Sequence, residues 1–164
     1  MTPRVGIGYD VHALVAGRPL VLCGVEVAHP RGLAGHSDGD AGTHALIDAV
    51  LGALGLDDLG AHFPAEPEWH GADSIGLLAD VAARAVRAGY RVGNADVTVV
   101  AHAPRLAPHR DAMRARLAAA LQVAPRDVSV KFTSSDGLGV VGREEGVAAV
   151  ATVLLAPYQP DRSA

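Results

Sequence analysis

Four stretches of the sequence bring together side chains that can do chemistry. The first is Asp10-Val11-His12, an acid and an imidazole two residues apart. In a strand, residues i and i+2 leave from the same face, so both groups project together. An ordinary polar turn after a strand would look the same. The second is His36-Ser37-Asp38-Gly39-Asp40, followed by His44 and Asp48. On a helix, Asp40, His44 and Asp48 fall along one face. That face reads either as a solvated surface with acids near a helix N-terminus or as part of a metal site. In the metal reading, Asp10, His12 and His44 supply one oxygen and two nitrogens. Three protein ligands with an open fourth position is the form of a catalytic zinc site. Asp48, one turn further on, then holds the other nitrogen of His44.

The third stretch is Lys131-Phe132-Thr133-Ser134-Ser135-Asp136-Gly137-Leu138-Gly139. Hydroxyls and turn N–H groups suit phosphate oxygens, and Asp136 suits a hard cation such as Mg²⁺. A plain Ser/Thr-rich turn is the competing reading. Arg143 follows, able to grip a phosphate bidentately or to pair with Glu145. The fourth is Ala101-His102-Ala103-Pro104-Arg105-Leu106. Its small residues and proline let backbone groups read the edge of a flat base, or simply form a connecting loop. His29, His62, His70 and His109 have no partner pattern. Trp69 either covers a cleft or packs, and Cys23 reads as a small buried residue.

These groups need elements to position them. Residues 3–12 read as a strand, with Val5, Ile7, Tyr9 and Val11 alternating. Leu20–Cys23 and Val25–Ala28 flank Gly24 as short strands. After a polar, glycine-rich stretch, a helix is expected over Asp40–Leu54, capped by Ser37 or Asp38 and ended by Gly55. Residues 56–73 read as a long loop of functional type. A second helix is expected over Ser74–Ala88, then a strand over Asp96–Ala101. Pro108 opens a third helix carrying Met113, Leu117 and Leu121. Val128–Phe132 and Val147–Leu155 are the last strands, and the tail from Pro157 is expected to fray. Strands interleaved with helices predict an α/β or α+β layer of helices on one sheet.

Composition bounds the rest. The chain has 164 residues, 49% apolar but only 4% aromatic, so Ala, Val and Leu must fill the core. That length suits one domain burying roughly 70% of its unfolded surface. The net charge of −4 argues against a nucleic-acid binder. One Cys excludes a disulfide framework and a CxxC zinc site. No apolar run approaches the ~18 residues of a membrane span. No basic-then-apolar leader opens the chain, so a cytoplasmic protein is expected. Eight His are many for this length, while thirteen Arg against one Lys reads as genomic bias.

Taken together and in order, these stretches resemble the 2-C-methyl-D-erythritol 2,4-cyclodiphosphate synthase family. The matching residues are Gly8-Tyr9-Asp10-Val11-His12, His36-Ser37-Asp38-Gly39-Asp40 with His44, Ala45, Leu46 and Asp48, and Asp58-Leu59-Gly60 with Phe63-Pro64. They continue through Gly71-Ala72-Asp73-Ser74, Asn94-Ala95-Asp96-Val97-Thr98, Ala103-Pro104-Arg105, and Gly142-Arg143 with Glu145-Gly146. The likeness spans residues 4–156. It implies a phosphorus–oxygen lyase of the non-mevalonate (MEP) isoprenoid route. There the 2-phosphate of 4-diphosphocytidyl-2-C-methylerythritol 2-phosphate attacks the β-phosphate, and CMP leaves.

The resemblance also implies roles. Asp10, His12 and His44 correspond to zinc ligands, or ligands of another divalent transition metal. His36 and Ser134 correspond to groups that stabilise the transition state. Asp58 and Gly60 correspond to ribose and diphosphate contacts, with Ser37 and Phe63 also lining the substrate. Ala101, Pro104, Arg105 and Leu106 belong to a cytosine-reading loop, while Thr133, Ser135 and Arg143 contact phosphate. Asp136 stands where the family commonly has Glu for a second ion, Mg²⁺ or Mn²⁺. The stretch Phe63–Pro67 is one residue shorter than usual and lacks an acid at Ala65. Val140 and Val141 replace a frequent aromatic and Thr near the family's trimer axis. The implied fold is one domain over residues 1–157, with 158–164 as tail. Helices pack on one face of a mixed four-stranded sheet plus a small hairpin, and the sheets face inward in a homotrimer whose sites are shared between subunits. Two other functions use the same residues: a metal-dependent phosphohydrolase, and a non-catalytic nucleotide-binding trimer.

Overall fold

The structure, a computed structural model, describes residues 1–158. The chain runs through β1 (Arg4–Ala16), β2 (Leu20–Leu22), β3 (Val25–Val27), β4 (Arg31–Leu33), α1 (Ala41–Leu54) and α2 (Leu59–His62). It continues with α3 (Ser74–Arg87), β5 (Tyr90–Val100), α4 (Arg110–Leu121), β6 (Val128–Thr133), α5 (Gly139–Gly142) and β7 (Gly146–Pro157). The main sheet has the order β4-β1-β7-β5-β6, and β2 and β3 form a separate hairpin. The expected four-stranded mixed sheet is therefore present, extended by the three-residue β4 along the end of β1. Only β5 and β6 pair in parallel. A parallel pair needs a crossover, and α4 supplies it.

The strand expected over Asp96–Ala101 begins earlier, at Tyr90, and bulges at Gly93 between Val92 and Asn94. The loop expected over 56–73 holds the short α2 and a 3₁₀ turn at Pro67–Trp69. A second 3₁₀ turn, Ala107–His109, precedes α4 where Pro108 was expected to open it. Pro157 closes β7, and the Tyr158 N–H donates to Gly89 O. The rest of the expected tail, 159–164, lies outside the described residues.

The cap of α1 falls two to three residues later than expected. Asp40, not Ser37 or Asp38, is the N-cap, and its side chain accepts from the Thr43 N–H. The same carboxylate is fully buried. It also accepts from Thr43 Oγ1 and from the N–H groups of Cys23 and Gly24, at 2.6–2.7 Å. Those two residues turn the β2–β3 hairpin with φ of 49° and 73°, the paired positive φ of a type I′ turn. Asp40 thus ties the hairpin to the start of α1 and is satisfied on every side, as a buried charge must be.

β1 and α1 set the site. Inward positions of β1 alternate Gly6, Gly8, Asp10, His12. A Cβ at Gly6 would sit 1.8 Å from Ala49 O, and one at Gly8 1.9 Å from Ala45 O. No side chain fits there, so α1 lies directly on the strand, and Ala45 and Ala49 complete the close seam. The alternate positions Val5, Ile7 and Tyr9 face away from the helices and are 60–73% exposed. At the outer edge of the sheet, Arg114 donates from Nε to Val128 O at 3.0 Å, and Arg110 to Val130 O at 3.2 Å.

Candidate metal centre and substrate clefts

Further along the same strand, Asp10 and His12 reach toward His44 on α1. Asp10 Oδ2 lies 2.7 Å from His12 Nε2 and 3.0 Å from His44 Nδ1, and the two nitrogens are 3.1 Å apart. One donor atom from each residue falls within 4.8 Å of the others, and His44 is buried. The donors' far sides are fixed. His12 donates from Nδ1 to Ala34 O, which turns the Nε2 lone pair to the centre. His44 Nε2 meets Ser74 Oγ at 2.9 Å and Ser37 Oγ at 3.1 Å. Ser74 gives its own proton to Asp38 Oδ1, and its N–H donates to Asp38 Oδ2. A carboxylate only accepts, so Ser74 Oγ must accept from His44, leaving the Nδ1 lone pair at the centre. One oxygen and two nitrogens with prepared lone pairs fit a divalent transition metal.

The electrostatics agree. Burial would raise the Asp10 pKa, but hydrogen bonds and charge from His12 and His44 outweigh it and hold the carboxyl well below its ordinary range. The hydrogen bond to Asp10 raises the His12 pKa against the opposing effect of burial. The surroundings of Asp10 therefore favour its carboxylate form.

The centre opens into a cavity of about 400 Å³. His36, Ser37, Asp48, Asp58 and Gly60 line it on the polar side, with Phe63 and Trp69 on the apolar side. Asp58 caps α2 by accepting from the Ala61 N–H. His36 donates from Nε2 to Glu66 O at 2.6 Å, and Gly71 N–H donates to His36 O at 2.8 Å. Trp69 stands edge-on to Phe63, centroids 5.1 Å apart.

A second cavity, about 420 Å³, lies between the end of β5 and the end of β6. Ala101, His102, Pro104, Arg105, Leu106, Thr133 and Ser134 line it. The two cavities share no lining residue.

The chain matches the YgbB family over residues 3–156. The chain belongs to this family. It is 55% identical over 153 residues to the 2-C-methyl-D-erythritol 2,4-cyclodiphosphate synthase of Symbiobacterium thermophilum, covering 93% of this chain and 98% of that one. It is 58% identical over 150 residues to the synthase of the same name from Salinibacter ruber, covering 90% and 95%. It also matches 39% of a longer protein, the bifunctional enzyme IspD/IspF of Anaeromyxobacter dehalogenans, at 55% identity over 92% of this chain. Among solved structures, the bifunctional IspDF of Campylobacter jejuni superposes with a TM-score of 0.92 at 36% identity, covering 96% of this chain and 43% of that one. The CDP complex of IspF from Plasmodium falciparum superposes at 0.86 and 30% identity, covering 96% and 98%.

Within this YgbB-family chain, the expected site residues fall into three groups. Asp10, His12, His36, Ser37, His44, Asp48, Asp58, Gly60 and Phe63 share the first cavity. Ala101, Pro104, Arg105, Leu106, Thr133 and Ser134 share the second. Ser135, Asp136 and Arg143 line neither. Ser135 Oγ donates to Leu138 O at 2.6 Å, and Asp136 turns at φ 57°. Arg143 pairs bidentately with Glu145 at 2.8 and 3.0 Å, the second of its two expected roles. One expectation is corrected. Asp48 does not hold the far nitrogen of His44, because Ser37 and Ser74 occupy it. Asp48 Oδ1 instead accepts from the Leu59 N–H at 2.8 Å, and burial raises its pKa. Asp48 therefore anchors α2, not the imidazole. The Ser74 link was missed: Ser74 lies 30 residues from His44, and in sequence it reads as the first residue of a helix and the end of the matching stretch Gly71-Ala72-Asp73-Ser74, with no partner indicated. Arg18, whose guanidinium holds the carbonyls of Gly35 and Ser37, gave no signal at all.

Proposed function

We propose that this chain catalyses the cyclisation of 4-diphosphocytidyl-2-C-methyl-D-erythritol 2-phosphate to 2-C-methyl-D-erythritol 2,4-cyclodiphosphate and CMP, in the MEP route to isoprenoid precursors. The observation that carries this reading is the Asp10–His12–His44 centre, its lone pairs turned inward at the mouth of a cleft, in a chain over half identical to named synthases. A 2-phosphate oxygen forms a bond to the β-phosphorus, and the bond from that phosphorus to the bridging oxygen breaks, releasing CMP. No covalent enzyme intermediate is needed. Such a reaction asks the protein mainly to position groups and neutralise charge.

Asp10, His12 and His44 hold a divalent ion, zinc in this reading, which when bound polarises phosphate oxygens. Asp136 assists a second ion, Mg²⁺ or Mn²⁺, although here it stands on an exposed turn. His36 and Ser134 stabilise charge on the phosphoryl group in flight. Asp58 and Gly60 meet ribose and diphosphate. Ala101 to Leu106 read the cytosine, while Thr133, Ser135 and Arg143 meet phosphate, Arg143 after releasing Glu145. One substrate needs both cavities, and the two share no wall. The exposed apolar row of β1 supports the simplest union: a homotrimer, sheets inward, each site built from the first cavity of one subunit and the second of its neighbour. In this reading the protein works in the cytoplasm. Among the described residues, no helix is long and apolar enough to cross a membrane.

The test is ³¹P NMR of purified protein with 4-diphosphocytidyl-methylerythritol 2-phosphate and Mg²⁺, with and without a chelator. Cyclic diphosphate and CMP, lost on chelation, are expected. Inorganic phosphate would make the protein a phosphohydrolase, and unchanged substrate a nucleotide-binding module.

A further inference from the structure

Behind the apolar wall of the first cavity sits a cluster that the proposed chemistry does not use. Arg84, on α3, donates from Nε to Asp80 Oδ2 at 2.9 Å, with Nη2 2.8 Å from the same oxygen. Its Nη1 donates to His62 Nδ1 at 2.9 Å. An arginine can only donate, so the His62 proton is on Nε2, and that atom is buried without a partner. The guanidinium carbon also stands 5.5 Å from the centre of the Phe63 ring. Phe63 is 7% exposed and meets Trp69 edge-on. One guanidinium thus grips two consecutive residues, His62 at its edge and Phe63 on its face. Those residues end α2 and begin the segment that carries Trp69.

We propose that Arg84, aimed by Asp80, is a positioning residue that fixes the Phe63–Trp69 wall of the cleft that the metal centre shares. The wall needs such a device. Between Phe63 and Trp69 the segment is mostly exposed, and its backbone hydrogen bonds are local apart from the one His36 makes to Glu66 O. Fixing it from the α3 side leaves the cavity face free for substrate. Arg84 is not itself a lining residue and reaches the cavity only through Phe63, so its effect must travel through the wall. Removing it should loosen substrate binding while leaving the reacting groups in place. Such a change raises KM with little change in kcat.

Trp69 is the sole tryptophan, so its emission reports the wall directly, without substrate. The experiment measures acrylamide quenching of Trp69 fluorescence, and KM and kcat by CMP release, in wild type, Arg84→Ala, Arg84→Lys and Asp80→Asn. For Arg84→Ala the quenching constant should rise about twofold and KM about fivefold, with kcat held within about twofold, once both the cation–π contact and the fork are lost. Arg84→Lys should follow Arg84→Ala, since an ammonium lacks the planar fork. Asp80→Asn alters a half-exposed surface group and should give smaller rises in both readings, which keeps the test open if Arg84→Ala fails to fold. Unchanged quenching in these variants, or raised quenching with unchanged KM, overturns the proposal. The KM arm rests on the cyclase reading. If wild-type protein turns over no substrate, that reading fails, and the quenching result alone decides whether Arg84 fixes the wall.

Discussion

Ser74 decides which nitrogen His44 offers. Its hydroxyl spends its one proton on Asp38 and so must accept from His44 Nε2. An alanine there removes the acceptor and leaves Ser37, among the described residues, as the one side-chain hydrogen-bond partner at that nitrogen. Outer contacts of this kind are worth about 10–100-fold in metal affinity. Ser74→Ala should therefore weaken binding of a divalent transition metal, probed with added Zn²⁺, by about tenfold in competition with a chromophoric chelator, with the far-UV spectrum unchanged. Unaltered affinity would mean that Ser37 alone orients the ring. At this scale the sequence was informative where spacing is short. Asp10 and His12 share a strand face by simple alternation, and His44 follows His36 within one motif. The orienting partner was assigned wrongly because Asp48 is near in helix spacing while Ser74 is near only in space. Likewise Asp40 looked like a member of an acidic face. Only the fold shows that four donors surround it.

Elements bring these residues together through the seam between β1 and α1. Gly6 and Gly8 are not flexible points here; they are places where a strand must touch helix backbone. A Gly8→Ala Cβ would press on Ala45 O at 1.9 Å, and a helix carbonyl cannot move aside as a side-chain tip can. Overpacking of this kind costs about 3 kcal/mol. Gly8→Ala should lower the urea midpoint accordingly and also displace His44, one residue before Ala45. Activity should then fall even where the variant remains folded. Equal stability by urea titration would show that the seam yields. Periodicity located α1, α3 and the main strands well, because each has a strong pattern and a glycine or acid at its end. It read the β5 start late, since the bulge at Gly93 breaks alternation. It left α2 inside a loop, since four residues carry no period.

At the scale of the whole molecule, the decisive feature is an apolar row on the wrong side of the sheet. Alternation in β1 announced a strand but could not say which set of side chains faces the helices. The glycines face them, and Val5, Ile7 and Tyr9 face out. A contiguous exposed apolar face marks an interaction surface. A charge placed in its middle should prevent assembly. If the proposed trimer with shared sites forms, Ile7→Glu should elute as a monomer by light scattering where wild type elutes as a trimer, and should lose turnover with the second half of each site. A monomeric, fully active variant would refute shared sites.

The arginines along β6 bear on how such copies can join. Val128 and Val130 present carbonyls at the last strand of the sheet, and Arg114 and Arg110 already occupy them. At the opposite margin, β4 covers only Leu14–Ala16 of β1, and Arg4–Ala13 pair with β7 alone. Strand-to-strand growth, the route to open-ended fibres, is thus blunted at the β6 margin. The exposed apolar face of β1 offers copies a different way to meet, and face-to-face contact around a rotation axis closes on itself and stops. The same guanidinium groups that finish a hydrogen-bond ladder therefore also guard that edge against open-ended growth.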